Sequence, residues 1–188
     1  ALLVRAGQLL AAMGITRAKN VASAGFRCLA ELCIAVLAFW ALGAAILFQS
    51  KNAIFGIVPL RLIGWSGLTT NWLVMLVMVL IGSGMVVPAV AERSRMIVPL
   101  AMGAMLGALV LPIVLFWTRF GWLAVDLGFI DLAGAAGVHL APAVCAAVAA
   151  LIVGPRDGKY NRDGSSNMIP GHSIPMILMS VLLMLIGW

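Results

Sequence analysis

The sequence predicts an all-α fold, a polytopic transmembrane helix bundle of about six membrane segments with the first and last partial. Three observations lead there. Of 188 residues, 64% are hydrophobic and only 10% are charged, where a soluble domain carries ~25% charged residues. Uncharged stretches run from Leu32 to Ser50, Trp72 to Ala91, Met96 to Thr118, Leu132 to Pro155 and Gly164 to Trp188, each near the ~20 residues that cross a ~30 Å hydrocarbon core. Their repetition excludes a signal peptide as the explanation. Small residues are dense inside them, as at Gly103, Ala104, Gly107 and Ala108, and such positions let helices approach closely in lipid.

Taken in order, a first segment containing Arg5 ends near Ile15, and helices follow at roughly 26–49, 72–91, 96–117, 132–154 and 174–188. The first is short and the last stops in mid-run at Trp188, so residues 1–188 read as a single domain truncated at both ends. The stretch from Gly154 to Gly171, with Gly, Asp, Asn, Ser and Pro throughout, reads as a connector without a core of its own. Arg17, Lys19, Arg27, Arg93, Arg95, Arg156, Lys159 and Arg162 fall on one side of this topology and Arg5, Lys51, Arg61 and Arg119 on the other. Cytoplasmic loops carry the excess of Lys and Arg, which places the N-terminus outside.

The net charge of +6 is scattered through short connectors with no aromatic-interleaved patch, so no nucleic-acid partner is expected. Cys28, Cys33 and Cys145 lie in apolar segments without metal spacing and read as small buried hydrophobes. Met75, Met78 and Met85 read as packing rather than a metal route. No metal, no cofactor and no enzymatic activity is expected. Pro88, Pro112 and Pro142 fall inside predicted spans, freeing the carbonyls of Gly84, Ala108 and Val138. Each can be a kink settled by neighbouring helices or a carbonyl lining a polar path.

The most informative stretch is Asp131-Leu-Ala-Gly-Ala-Ala-Gly-Val-His139. Asp131 suits an N-cap, its carboxylate facing free N–H groups and the positive end of the helix dipole; holding a cation-attracting vestibule in shape is an added role open to it. On a continuous helix His139 lies ~12 Å deeper. Its helical neighbours Ala135, Ala136, Pro142 and Ala143 leave room around the ring and offer it no obvious partner. Two readings stand: a histidine bonded to a carbonyl across a helix interface, or an intramembrane functional site. Glu31, four residues after Arg27, suits an intrahelical ion pair.

These motifs resemble those of the ammonium transporter family (Amt/Rh/Mep), in which Asp-Phe-Ala-Gly precedes Val-His. Gly14-Ile-Thr-Arg-Ala-Lys-Asn20 is similar to the family's Gly-x-x-Arg-x-Lys-Asn, and Ala89-Val-Ala-Glu-Arg93 to its Gly-Ala-x-Ala-Glu-Arg, with Pro88 in place of the glycine. Gly121-Trp-Leu fits before the aspartate. His172-Ser-Ile-Pro175 looks like the family's His-Asn-x-Pro, and Ile186-Gly-Trp188 like the start of its Gly-Trp-Phe-Gly-Phe-Asn. The resemblance implies the first half of an eleven-helix inverted-repeat transporter fold in the cell (inner) membrane. It also implies a homotrimer with one pore per subunit, ammonium or ammonia as substrate and a cytoplasmic PII-type regulator.

For His139 the resemblance implies the first of two pore histidines that share a proton and guide ammonia through a hydrophobic channel, with Asp131 at the vestibule. Three positions depart from the pattern. Met78 stands where the family places the outer phenylalanine of its gate, and Met75 where a glutamine is usual. Arg119 stands at the position of the cation-binding tryptophan, with Trp117 the nearest aromatic. A paralogue with an altered vestibule, acting as an ammonium-responsive sensor or regulatory subunit, is the alternative reading; a purely structural membrane subunit would leave the order of five motifs to chance.

Overall fold

The computed structural model describes residues 2–48 and 70–188. Gln49, Lys51 and Arg61, which enter the expected second helix and the charge count, lie outside the described residues. Among the described residues six apolar helical segments form: α1 (Leu2–Ile15), α2 (Ala18–Leu47), α3 (Thr70–Val90), α4 (Ile97–Val125), α5 (Leu132–Val153) and α6 (Ile174–Gly187), of which α2 to α5 are long and apolar enough to cross a membrane. The expected bundle is the observed one. Its largest departures are at two ends. Helix α2 starts eight residues before the expected 26, because the basic residues that delay the hydropathy signal sit in its first turns. Helix α4 runs past 117 to Arg119, breaks where Phe120 and Gly121 both donate to the Phe116 carbonyl, and resumes at Trp122.

Helix α1 lies along α6, α2 packs on α4, and α3 occupies the middle against α1, α2, α4 and α5. Phe39, Leu106, Leu111, Leu115, Phe116 and Val138 are fully buried and form the heart of the core, with Trp72 and Met75 against them. Close approach depends on missing side chains: a Cβ on Gly107 of α4 would lie 2.7 Å from the Ala35 carbonyl of α2, a distance no real contact tolerates.

Three helices widen into π turns, at Phe39–Gly43, Leu106–Val110 and Ala135–Leu140. Two of these precede Pro112 and Pro142 and contain the carbonyls those prolines free, Ala108 and Val138. Such a bulge re-routes the ladder around the missing donor. Pro88 likewise follows an interruption, at Met85 between the two parts of α3. The Val138 carbonyl faces Gly82 of α3, where an added Cβ would stand 3.3 Å from it, so this carbonyl lies at a helix interface.

The basic end is tied by one carboxylate. Glu92, in the α3–α4 turn, accepts from the Arg17 backbone N–H (2.9 Å), the Arg17 Nε (3.2 Å) and the Asn20 amide (2.6 Å), and pairs with Arg156 at 3.3 Å. Its side chain is only 1% exposed, and its backbone is left-handed at φ 60°, an unusual state for a residue with a Cβ. Burial pushes its pKa up, but the Asn20 and Arg17 hydrogen bonds and the Arg17 charge outweigh that, and the carboxyl is held below its ordinary range. Arg93 donates to the Gly154 carbonyl and Arg27 to that of Ser94. The stretches 14–20 and 89–93 thus meet at one joint. The 154–171 connector is a loop held by Asn161 and Asn167, whose side chains bond each other.

Three expectations are corrected. Glu31 does not pair with Arg27: its carboxylate receives Arg5 Nη2 from α1 at 2.5 Å, while Arg27 turns to Ser23 and Ser94. A contact across helices, buried on both sides, displaces the local one-turn pair. Arg5 is therefore an intrabundle charge rather than a loop charge. Cys33 is exposed on the α2 surface, unlike buried Cys28 and half-buried Cys145, because it lies on a different face of the helix from Cys28.

Candidate functional site

The chain does not enter α5 straight from Asp131. Ala133 (φ 53°) and Gly134 (φ 73°) form a left-handed turn, and regular winding starts at Ala135. This turn brings the start of the helix back onto the aspartate: its Oδ1 accepts from the Ala136 N–H at 2.8 Å and its Oδ2 from the Gly137 N–H at 3.1 Å. Asp131 thus caps a helix that begins four residues later. The cap needs Gly137 as well, since a Cβ there would press on the Leu115 side chain at 2.8 Å. The capped N–H of Gly137 is two residues before His139.

The His139 ring is half-buried and lies against Trp188, which follows α6, with centroids 4.6 Å apart and planes at 59°. Both rings line a cavity of about 710 Å³, open on one side, whose wall includes Val4 and Gln8 of α1, Ile81 of α3 and Val181 and Met184 of α6. That wall is almost wholly apolar. An adjoining cavity of about 530 Å³ shares Ile81, Ala133 and Trp188 with it and carries Met78, Val74 and Val138. His139 and Met78 therefore line neighbouring cavities. Met75 is buried in the core, and neither cavity wall includes it, Trp117 or Arg119. Trp117 stacks edge-on against Trp122 at 6.2 Å, and half-buried Arg119 sits in the last turn before the α4 break.

Sequence reasoning passed over Gln8 and took Trp188 only as part of a motif. The available signal was slight: Gln8 is the one amide in the first segment, and it stands one turn after Arg5 on the same helical face.

The model of the Ammonium Transporter Family matches residues 1–188. Ammonium transporter Amt2 of Archaeoglobus fulgidus is 31% identical over 98% of this chain and 42% of its own length. Ammonium transporter Amt2 of Haloferax mediterranei is 33% identical over 98% of this chain and 43% of its own. A solved structure, Sensor Amt Protein, superposes over 100% of this chain and 49% of its own with a TM-score of 0.87 and 32% identity. The chain spans less than half the length of these relatives.

Proposed function

The chain belongs to the ammonium transporter family, and from that premise we propose that this multi-pass membrane protein conducts ammonium-derived nitrogen through a hydrophobic pore, with His139 as a proton relay. A bare cation in hydrocarbon is heavily penalised. Splitting ammonium into neutral ammonia and a relayed proton lowers that barrier, and an imidazole titrates in the range such a relay needs. Potassium has no proton to give up and is refused. The observation that supports this is the position of His139: on the wall of an apolar cavity, against Trp188, just inward of the turn that Asp131 caps. Asp131 holds the vestibule in shape, and Met78 occupies the gate. Trp117, Arg119 and Met75 are assigned to the outer site. The full-length protein is read as a homotrimer in the cell membrane, N-terminus outside, with the basic end toward a cytoplasmic PII-type regulator.

Uptake of methylammonium into proteoliposomes by the full-length protein and its His139→Ala variant tests the relay. A large loss in the variant is expected; equal uptake removes His139 from the mechanism. A second reading is ammonium sensing without transport, favoured by the likeness to Sensor Amt Protein and by Arg119, whose charge opposes cation recruitment. Ammonium binding to a full-length protein that shows no uptake would select it.

A further inference from the structure

The cavity wall holds one more polar side chain, and its surroundings are unusual for a membrane interior. Gln8 is 9% exposed. Its Nε2 donates to the Ile81 carbonyl at 2.9 Å, and its Oε1 accepts from Arg5 Nη1 at 3.3 Å. Arg5 Nη1 also donates to the Leu80 carbonyl at 2.9 Å, and its Nη2 is held by Glu31. Arg5 itself is 9% exposed and Glu31 1%. The absence of a side chain at Gly84 makes room for both, since a Cβ there would collide with the guanidinium and with the amide oxygen. The Arg5 cation donating to Oε1 and the Ile81 carbonyl accepting from Nε2 thus dictate which way the amide faces.

A primary amide has two donor hydrogens and two acceptor lone pairs. Gln8 commits one of each to Arg5 and Ile81, which leaves one N–H and one lone pair uncommitted on a residue that lines the same cavity as His139. An unmatched donor and acceptor in an apolar space are costly. The occupant that relieves them is small, neutral, and both donor and acceptor. The site does not suit an ion, because the amide is uncharged and the Arg5 charge is already neutralised by Glu31.

Building on the transport reading, we infer that Gln8 is a positioning residue for neutral ammonia in the His139 cavity, its amide fixed in orientation by the Arg5–Glu31 pair. It acts by accepting one ammonia N–H and donating to its lone pair while the molecule passes the imidazole. Gln8 takes no proton and performs no chemistry.

The test uses the full-length protein in proteoliposomes, with ammonium and methylammonium as probes. Gln8→Met keeps length and volume while removing both free polar groups; loss of one modest hydrogen bond predicts a roughly three- to tenfold fall in ammonium flux. Methylammonium, whose amine has fewer N–H groups to offer, should lose less, so the ratio of the two fluxes should shift. A purely structural role would not move that ratio. The double variant Arg5→Leu/Glu31→Leu removes both charges together, releases the amide, and should shift the ratio in the same direction. Adding Gln8→Met to it should then change little. Should Gln8→Met fail to fold, Gln8→Asn, which shortens the side chain and withdraws the amide, carries the same expectation. A folded Gln8 variant with wild-type flux and ratio, beside an inactive His139→Ala, overturns this inference and leaves the relay standing. A wild-type protein that conducts neither probe overturns both.

Discussion

The basic end and the His139 cavity treat polar groups in opposite ways. At the basic end Glu92 gathers donors from Arg17, Asn20 and Arg156 and is sealed from solvent. In the cavity His139 faces a mostly apolar wall and a tryptophan ring. The first region uses charge to fix where three interhelical connections meet; the second surrounds an imidazole with apolar groups. It follows that substitutions at the basic end should cost stability, and substitutions at the cavity should cost traffic.

The largest effect expected of this contrast is at Glu92. Removing one partner of a fully buried ion pair costs about 3–5 kcal/mol, an upper bound here because the Arg17 and Arg156 side chains are 30% and 18% exposed. Glu92→Gln should therefore lower the unfolding temperature in detergent sharply, while His139→Ala leaves it nearly unchanged. Equal melting of the two variants would erase the distinction. The pH dependence has a definite sign. The folded pKa of Glu92 is lowered from 4.5, so its contribution to stability is complete above that value and is lost as pH falls through the lowered folded value. Thermal stability should drop on acidification below about pH 4.5 in the wild type, and less in Glu92→Gln.

A smaller effect is expected where helices touch through glycine. Gly107→Val places atoms where the Ala35 backbone stands, and overpacking of this kind costs about 1–3 kcal/mol. The reading is a lower unfolding temperature with helix content retained by circular dichroism. A variant as stable as the wild type would show that α2 and α4 can separate without penalty, and the tight packing around their π turns would lose its meaning.

How much of this was legible in the sequence depends on the range of the interaction. The spans were legible because twenty apolar residues in a row have few alternatives, and every expected segment end but the start of α2 and the end of α4 falls within two residues of the observed one. The capping role of Asp131 was legible from its place before Ala-Gly-Ala-Ala-Gly. The turn that precedes the capped helix was not, since Ala133 carries no mark of a left-handed conformation and only Gly134 permits one. Glu31 shows the limit most plainly. The i, i+4 rule offered Arg27, and the actual partner lies 26 residues away on another helix, a choice made by packing. Gln8 was hidden for the same reason: the carbonyl it donates to, that of Ile81, lies 73 residues along the chain. The prolines announced missing donors but not the π turns that absorb them.

Asp131 belongs to neither regime: it is a charge that caps the helix whose His139 lines the cavity. Asp131→Ala removes the acceptor of two backbone N–H groups and should cost about 1 kcal/mol as a lost cap. Since the helix it caps carries His139, flux should fall by more than the stability change implies. Uptake and melting measured on one preparation separate the two. A flux loss no larger than the loss of folded protein would make Asp131 a cap and nothing more.

The smallest effect concerns the proposed outer site. Arg119 is a fixed positive charge in the last turn before the break in α4, between Trp117 and Trp122 in the chain. Arg119→Trp exchanges a repelling charge for an aromatic face, and a cation–π contact at a wet site is worth about 0.5–1 kcal/mol, or roughly two- to fivefold in affinity. Relief of repulsion adds to that at low salt and fades as salt screens it. The apparent ammonium affinity of the full-length variant should therefore rise about two- to fivefold at high salt and by more at low salt. An unchanged or weaker affinity would move the outer site away from Arg119, and with it the assignment of Trp117 and Met75.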